Sequence, residues 1–187
     1  MTEMNDYMID MFRSPILHLQ IRNWEEKKSK LSKLMNSATL EYRNSVKTTF
    51  EYFVDGDNKH NEENLNKKVS EILSDEINAV LNSFQLSQGE VIQSWFQVEE
   101  EGMYHGVHNH GYGVSSVCYL EFNPEVHTPL ILISPSNNLI DGSSEQYCPQ
   151  NVNEGSIVFF PSVLNHYTIP NQTNIPRKIL AFNLRIH

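Results

Sequence analysis

The sequence predicts a mostly β fold with helices in its N-terminal half, an α+β class, and two patterns carry this prediction. Between Glu62 and Phe84, apolar residues recur at three- and four-residue steps, which indicates an amphipathic helix with one packing face. From Val91 onward, short β-rich runs alternate with turn residues such as Asn123-Pro124 and Asp141-Gly142. Short strands separated by turns are typical of a sandwich or barrel, so we expect the helix to lie against a sheet.

The other predicted elements fit one domain over residues 1–187. An opening strand is expected over Pro15–Ile21, and a helix follows Asn23, whose side chain suits an N-cap. We assign residues 1–88 to the opening strand and supporting helices, and residues 89–187 to a β core that carries the site. The predicted core strands are Val91–Val98, Val114–Phe122, Pro129–Ser134, Ser156–Pro161 and Arg177–Arg185.

Charge and composition restrict the partners of the protein. Fourteen basic against 23 acidic residues give a net charge of −9, which argues against nucleic acid or an anionic membrane surface as a partner. Two cysteines are too few for a disulfide framework, and the first residues do not resemble a signal peptide. We therefore expect a cytoplasmic protein, or one of the host cytoplasm if phage-encoded, that acts on a small-molecule or peptidyl substrate. A homodimer is compatible with the sequence.

Three histidines form the first chemical pattern. His108 and His110 are two residues apart, so on an extended strand both side chains point to the same side, as half of a metal site requires. A solvated histidine-rich loop would give the same local pattern. A third histidine, His166, follows the apolar strand Gly155–Pro161 in a turn-rich stretch. Together these residues form a His-x-His…His set, and a β-barrel assembles ligands in this way from strands remote in sequence.

Arg177 forms the second pattern, because it opens the last β-rich run shortly after His166. An arginine on the inner face of a buried strand needs an anionic partner, since an unpaired interior charge is very costly. No carboxylate lies close by in sequence. A bound dicarboxylate could serve, because guanidinium binds carboxylate through two parallel hydrogen bonds. The alternative is that Arg177 is a solvated strand end.

The order of these residues resembles the 2-oxoglutarate/Fe(II)-dependent oxygenases, whose signature is H-x-D/E…H followed by Arg or Lys. It most resembles a branch of this superfamily that is common in bacteria and marine phages. The resemblance covers nearly the whole chain, although each motif alone is weakly specific. It rests on Met11-Phe12-Arg13-Ser14-Pro15-Ile16, Ser94-Trp95-Phe96-Gln97, the H-x-H, Val114–Leu120, Phe160-Pro161-Ser162, His166, Pro170-Asn171, Arg177 and Phe182-Asn183.

The resemblance implies a double-stranded β-helix (jelly roll) with helices packed on one sheet, and Fe(II) and 2-oxoglutarate as cofactor and cosubstrate. By position, His108 and His166 would be iron ligands, and Arg177 would hold the distal carboxylate of 2-oxoglutarate. Gln97 and Tyr119 would line the cosubstrate pocket, and Asn183 matches the closing motif. The implied reaction hydroxylates a C–H bond of an amino-acid, peptidyl or small-molecule substrate, with release of succinate and CO2.

One residue departs from the signature, because His110 stands where the family usually has Asp or Glu. Three neutral imidazoles would leave the full charge on a divalent iron until 2-oxoglutarate supplies its own carboxylate. Two interpretations stay open. Either His110 is the third ligand, or Glu121 or Asp141 completes the site in its place. His105 is a spare candidate that we expect to lie behind the ligands.

Two other classes of protein also fit parts of the pattern. Gly102, His108 and His110 match the opening of the first cupin motif, which would give a three-histidine dioxygenase or isomerase without 2-oxoglutarate. The glutamate expected shortly after the histidine pair is missing, however, since Val114 or Ser115 stands there, and the glycine expected after the proline is missing because Val163 occupies its position. A non-catalytic jelly-roll binding or structural protein is the third interpretation.

Overall fold

The computed structural model describes residues 14–38, 41–43, 46–48, 59–138 and 140–187. Part of the opening motif, Met11 to Arg13, lies outside these residues. The elements are, in order, β1 (Leu17–Gln20), α1 (Trp24–Asn36), β2 (Glu41–Arg43), β3 (Val46–Thr48), α2 (Lys59–Ile72), α3 (Ser74–Ser83), β4 (Gly89–Glu99), β5 (Val114–Glu121), β6 (Ile131–Asn137), β7 (Ser144–Tyr147), β8 (Ser156–Pro161), β9 (His166–Tyr167) and β10 (Arg177–Ile186).

The strands form two antiparallel sheets, which confirms the predicted jelly roll. A seven-stranded sheet has the order β1-β8-β5-β10-β4-β3-β2, and a three-stranded sheet has the order β7-β6-β9. Apolar side chains from both sheets pack in one cluster, in which Leu132 of β6 joins Val117 of β5 and Phe160 of β8. The space between the two sheets is therefore a core, and the candidate site lies within it.

The helices pack on the other face of the large sheet, as predicted. Leu31 of α1 and Val69 of α2 join Phe96, Leu180 and Phe182 of the sheet in a second apolar cluster. Successive strand residues point to opposite faces, so β10 presents Leu180 and Phe182 to the helices and the residues between them to the inner core. This alternation places Arg177 on the inner face of β10.

The predicted helix over residues 62–84 is divided into α2 and α3 at Leu73. The hydrogen-bond pattern nevertheless continues, because the amide of Leu73 donates to Val69 (2.9 Å) and that of Ile77 donates to Leu73 (2.9 Å). The apolar stripe is therefore intact across the kink. Asn23 occupies the predicted N-cap position, because α1 begins at Trp24, but it has a left-handed φ of 53° and its side chain makes no capping bond.

All five predicted core strands are present, although β6 starts and ends later than expected, at Ile131 and Asn137. The sequence did not indicate β7, because all four of its residues are exposed and it therefore lacks an alternating apolar pattern. β9 is only two residues long, which is too short for a periodic signal. No helix in the described ranges is long and apolar enough to cross a membrane.

Candidate active site

The candidate site begins with a backbone bridge between His108 and His166. The amide of His108 donates to the carbonyl of His166 (3.0 Å), and the amide of His166 donates to that of His108 (2.9 Å). His166 belongs to β9, so this bridge places His108 alongside β9, on the edge that β6 does not occupy. The two imidazole rings are consequently neighbours, with ring centroids 4.2 Å apart.

His110 lies next to these two rings and is carried by the loop between β4 and β5, near the end that leads into β5. Its amide donates to the carbonyl of Ser162 (2.9 Å), and the Ser162 amide donates to Gly113 (2.9 Å), so the loop is anchored beyond β8. The centroid of the His110 ring lies 4.9 Å from that of His108 and 5.2 Å from that of His166. One ring nitrogen of each histidine lies within 4.8 Å of the others, an arrangement that could hold a metal ion.

Hydrogen bonds at Nδ1 of His108 and His166 leave the Nε2 atom of each ring free for a metal. Nδ1 of His108 contacts the carbonyl of Gly106 (2.7 Å), and Nδ1 of His166 contacts the carbonyl of Leu164 (3.0 Å). A carbonyl only accepts hydrogen bonds, so each Nδ1 carries the proton and each Nε2 keeps its lone pair. Such bonds orient metal-binding histidines and fix the tautomer.

Burial keeps the site histidines unprotonated. Burial first, and then the neighbouring His108, lower the pKa of His166 to about 3 and that of His110 to about 4. The pKa of His108 is also lowered by burial, although its bond to Gly106 opposes this shift. Metal ligands must be deprotonated, and imidazoles that are neutral at physiological pH meet this requirement without prior proton loss.

His105 lies behind this group. Its ring stacks on that of His108, with centroids 3.9 Å apart and the planes inclined by 22°. Its amide donates to the hydroxyl of Thr168 (2.7 Å), which fixes the loop against the strand that carries His166. Burial lowers the pKa of His105 to about 3. His105 is not a member of the three-histidine group.

Arg177 lies inside the same hollow as the histidines, with only 4% of its surface exposed. Burial lowers its pKa to about 10, so the guanidinium remains protonated at neutral pH. The interpretation of Arg177 as a solvated strand end is therefore wrong. A carboxylate that the sequence did not reveal serves it: Arg177 donates to Oε2 of Glu99 and to the carbonyl of Thr128.

The sheet register explains why sequence reasoning missed Glu99. Arg177 of β10 pairs directly with Glu99 of β4, although 78 residues separate them. Glu99 opens an acidic run, Glu99-Glu100-Glu101, which is typical of a solvated surface. The two-residue period of a strand could have indicated its burial, because this period places Glu99 on the same face of β4 as Trp95 and Gln97.

The histidines and Arg177 line one cavity of about 510 Å³, including its open mouth. Gln97 and Tyr119 line it as well. Gln97 donates its amide to Oε1 of Glu99, and the Tyr119 hydroxyl accepts from the amide of Leu130 (3.1 Å). Burial raises the pKa of Tyr119, so its hydroxyl is neutral.

Three other candidates lie outside this cavity lining. Asn183 accepts from the Ser115 hydroxyl (2.8 Å) and donates to Gln93 (3.1 Å), in a buried network next to the cavity. Glu121 pairs with Lys178 at 2.9 Å and is partly exposed. Asp141 accepts from the amide of Ser143 (2.8 Å) in an exposed turn. The carboxylates of Glu121 and Asp141 are therefore engaged away from the three histidines.

The fold and this cavity define a double-stranded β-helix protein with a candidate metal centre next to a buried arginine. Residues 93–183 match the family described as "Putative 2OG-Fe(II) oxygenase". That segment contains the three histidines and Arg177. No curated protein sequence matches the chain.

Solved structures with the same fold include prolyl hydroxylases and an enzyme solved with 2-oxoglutarate bound. A Pseudomonas putida prolyl-4-hydroxylase is 14% identical, with 92% of each chain covered and a TM-score of 0.55. The viral collagen prolyl hydroxylase of Paramecium Bursaria Chlorella virus-1 is 12% identical, with 91% of this chain and 94% of that chain covered and a TM-score of 0.56. HygX from Streptomyces hygroscopicus, solved with nickel, 2-oxoglutarate and hygromycin B, is 9% identical, with coverages of 91% and 82% and a TM-score of 0.61.

The segment that contains the site, residues 93–183, is therefore similar to the 2-oxoglutarate/Fe(II)-dependent oxygenases. This finding favours the oxygenase over the cupin and over the non-catalytic jelly roll. The residues present fit the cofactors of the family. Three unprotonated imidazoles suit a divalent iron, and a buried guanidinium in the same cavity suits a carboxylate.

Proposed function

We propose that His108, His110 and His166 bind Fe(II), and that Arg177 binds the distal carboxylate of 2-oxoglutarate. The reaction would insert one oxygen atom of O2 into a substrate C–H bond and the other into succinate, with release of CO2. The single observation that carries this proposal is the convergence of three histidines within 4.8 Å in the cavity that also contains Arg177. When bound, the iron and the keto acid supply the oxidative chemistry.

The residues of the chain orient the cofactors and exclude water. The Nδ1–H bonds of His108 and His166 hold the two rings in the ligating orientation. The rings of Trp95 and Phe160 lie 5.2 Å from His110 and 4.8 Å from His166 respectively, and form apolar walls beside the ligands. Such walls limit stray reactions with solvent.

We propose a contact role for Gln97 and Tyr119 and a supporting role for Asn183. Gln97 and Tyr119 line the cavity, where each can present a polar group to the cosubstrate. Asn183 accepts from the Ser115 hydroxyl, which in turn accepts from the hydroxyl of Ser162 (2.9 Å), the residue whose carbonyl anchors His110. Asn183 would therefore act on the site through the His110 loop.

We propose an amino-acid, peptidyl or small-molecule substrate with a C–H bond to hydroxylate. Similar structures include prolyl hydroxylases, one of them in complex with a peptide fragment, and enzymes of nogalamycin biosynthesis. A cytoplasmic location fits the two cysteines, Cys118 and Cys148, which are both free. The N-terminal helices would serve as the support of one oxygenase domain, because they pack on the sheet that carries Arg177.

An anaerobic titration tests this function directly. Fe(II) and then 2-oxoglutarate are added to the protein, and we expect the weak visible charge-transfer band of the chelated keto acid. The variant H166A should lose the band, and H18A, which changes a histidine of β1, should retain it. Succinate formation in air, measured with a panel of amino acids and peptides, then identifies the substrate class. Absence of metal uptake by the unaltered protein would contradict the proposal.

A further inference from the structure

The buried carboxylate of Glu99 occupies the partner position on Arg177. Glu99 and Arg177 are 1% and 4% exposed, and they are direct cross-strand partners on the inner face of the large sheet. Both residues line the cavity of the three histidines. The guanidinium thus already has an anionic partner within the protein before any ligand binds.

Two further donors hold Glu99 in place. The amide of Gln97 and the hydroxyl of Thr168 (2.9 Å) both donate to Oε1, whereas Arg177 contacts Oε2. The Thr168 hydroxyl in turn accepts from the amide of His105. Three donors around one side chain suit a carboxylate. The two bonds to Oε1 would remain if Arg177 turned to another anion.

The position of this carboxylate unbalances the charges at the two ends of the cavity. An imidazole that binds a metal is neutral, so three histidine ligands bring no negative charge to offset a divalent cation at the metal end. At the other end, Glu99 already neutralises Arg177. A dicarboxylate that reaches from the metal to Arg177 therefore brings a second carboxylate next to Glu99, and like charges in a buried site disfavour each other.

We propose that Glu99 competes with the cosubstrate for Arg177, so that the cavity selects only weakly for a distal carboxylate. This inference rests on the proposed function, because it concerns the 2-oxoglutarate end of the same site. Glu99 is a specificity-determining residue: it lowers the affinity for 2-oxoglutarate and reduces the preference for the dicarboxylate over a keto acid with an uncharged distal group.

The variant E99Q tests the proposal. Glutamine has the same shape, keeps an oxygen for Arg177, and can be accommodated by rotation of the Gln97 amide and the Thr168 hydroxyl. We expect E99Q to bind 2-oxoglutarate about tenfold more tightly, the size of a one-unit coupling between two carboxylates. The dissociation constant is measured on full-length, Mn(II)-loaded protein by calorimetry. E121Q, which removes the partly exposed carboxylate paired with Lys178, is the matched control and should match the unaltered protein.

A second measurement compares two ligands and gives a result on the unaltered protein by itself. The C5 amide of 2-oxoglutarate retains the chelating keto acid but lacks the distal charge. The unaltered protein should bind the dicarboxylate and the amide with affinities within about tenfold of each other, whereas E99Q should favour the dicarboxylate by a further tenfold. A discrimination above about a hundredfold in the unaltered protein would overturn the proposal even if E99Q does not fold.

The other outcomes separate this inference from the proposed function. Metal uptake with unchanged or weaker binding of 2-oxoglutarate by E99Q overturns the competition and leaves the oxygenase function intact. Failure of the unaltered protein to take up metal contradicts the proposed function itself. If metal-loaded E99Q binds 2-oxoglutarate and the metal-loaded unaltered protein does not, the competition is supported. If neither of these two proteins binds 2-oxoglutarate, the competition is overturned.

Discussion

The α-carbon of Gly113 packs against the carbonyl oxygen of Leu184 in β10. A Cβ at position 113 would lie 2.2 Å from that oxygen, and the φ of Gly113 is +116°. Since the Gly113 carbonyl accepts from Ser162, whose own carbonyl holds His110, this close approach fixes the end of the histidine loop. The backbone at position 113 therefore accommodates only glycine.

Replacement of Gly113 by alanine should therefore destabilise the protein more than the same change at Gly111. Gly111 also has a positive φ, +81°, but a Cβ at that position would have no neighbouring heavy atom within 4 Å. We expect G111A to cost about 1–2 kcal/mol from the backbone conformation alone, and G113A about 1–3 kcal/mol more from overpacking. Urea unfolding of both variants measures the difference. Equal losses would mean that the contact with Leu184 is not rigid.

Each of the three histidines should be required for metal affinity. Alanine at His108, His110 or His166 removes one imidazole of the group, and we expect Ni(II) affinity to fall by on the order of a hundredfold or more. Calorimetric titration gives the affinity, and circular dichroism verifies the fold. Alanine at His18, on β1, is the control and should leave affinity unchanged. Retention of full affinity by any of the three site variants would remove that histidine from the ligand set.

The variant H110D restores the carboxylate of the family signature. Carboxylate and imidazole are both ligands of Fe(II), so H110D should keep metal binding that H110A loses. The added negative charge offsets part of the metal charge before 2-oxoglutarate binds. The comparison of Fe(II) dissociation constants for H110D and H110A tests this expectation. Equal loss in both variants would show that residue 110 does not reach the metal.

The buried histidines should make the metal-free protein sensitive to acid. The pKa of His166 and of His110 is lowered to about 3 and about 4 from an ordinary value of 6.5, so the unfolded chain binds more protons between these values. The free energy of unfolding therefore falls as the pH drops from 6.5 towards 4, and is independent of these groups above neutral pH. Denaturation by urea at a series of pH values measures the slope, which H110N should reduce. An unchanged slope in H110N would indicate that His110 titrates normally.

Loss of Arg177 should destabilise the protein through Glu99. The variant R177M leaves a buried carboxylate without its cation, which typically costs about 3–5 kcal/mol. The double variant R177M/E99Q removes both charges and should recover a large part of this loss. K178M, which breaks the partly exposed pair with Glu121 on the same strand, is the control and should cost less than about 1 kcal/mol. Additive losses in the double variant would argue against a coupled pair.

The sequence was sufficient for those parts of the fold whose signal is local. The strands β5 and β8 are buried on both faces, and each contains a run of apolar residues. The apolar stripe through Val69 and Leu73 continues across the break between α2 and α3, although neither glycine nor proline marks that break in the sequence. The three histidines could be predicted to lie together, because two residues of spacing place His108 and His110 on one side of an extended chain, and because imidazole is a common metal ligand. The exposed strand β7 lacked such a signal, since solvent imposes no pattern on its side chains.

The partner of Arg177 could not be predicted in the same way. The residue types showed that a buried guanidinium needs an anion, but the identity of that anion depends on which residue of β4 lies opposite β10. Register between strands far apart in sequence is set by packing and by the loops between them, and not by local composition. The acidic run that begins at Glu99 therefore gave no indication that its first member is buried.

The position of β10 between β4 and β5 determines the order in which the barrel can be assembled. β4 and β5 each pair with β10, the last strand in the sequence. A nascent chain that has not yet extended beyond residue 176 would therefore expose the inner edges of both strands, and unpaired edges promote association between chains. We expect the large sheet to close only after β10 has left the ribosome, so that the emergence of residues 177–186 is the step at which this protein becomes resistant to aggregation.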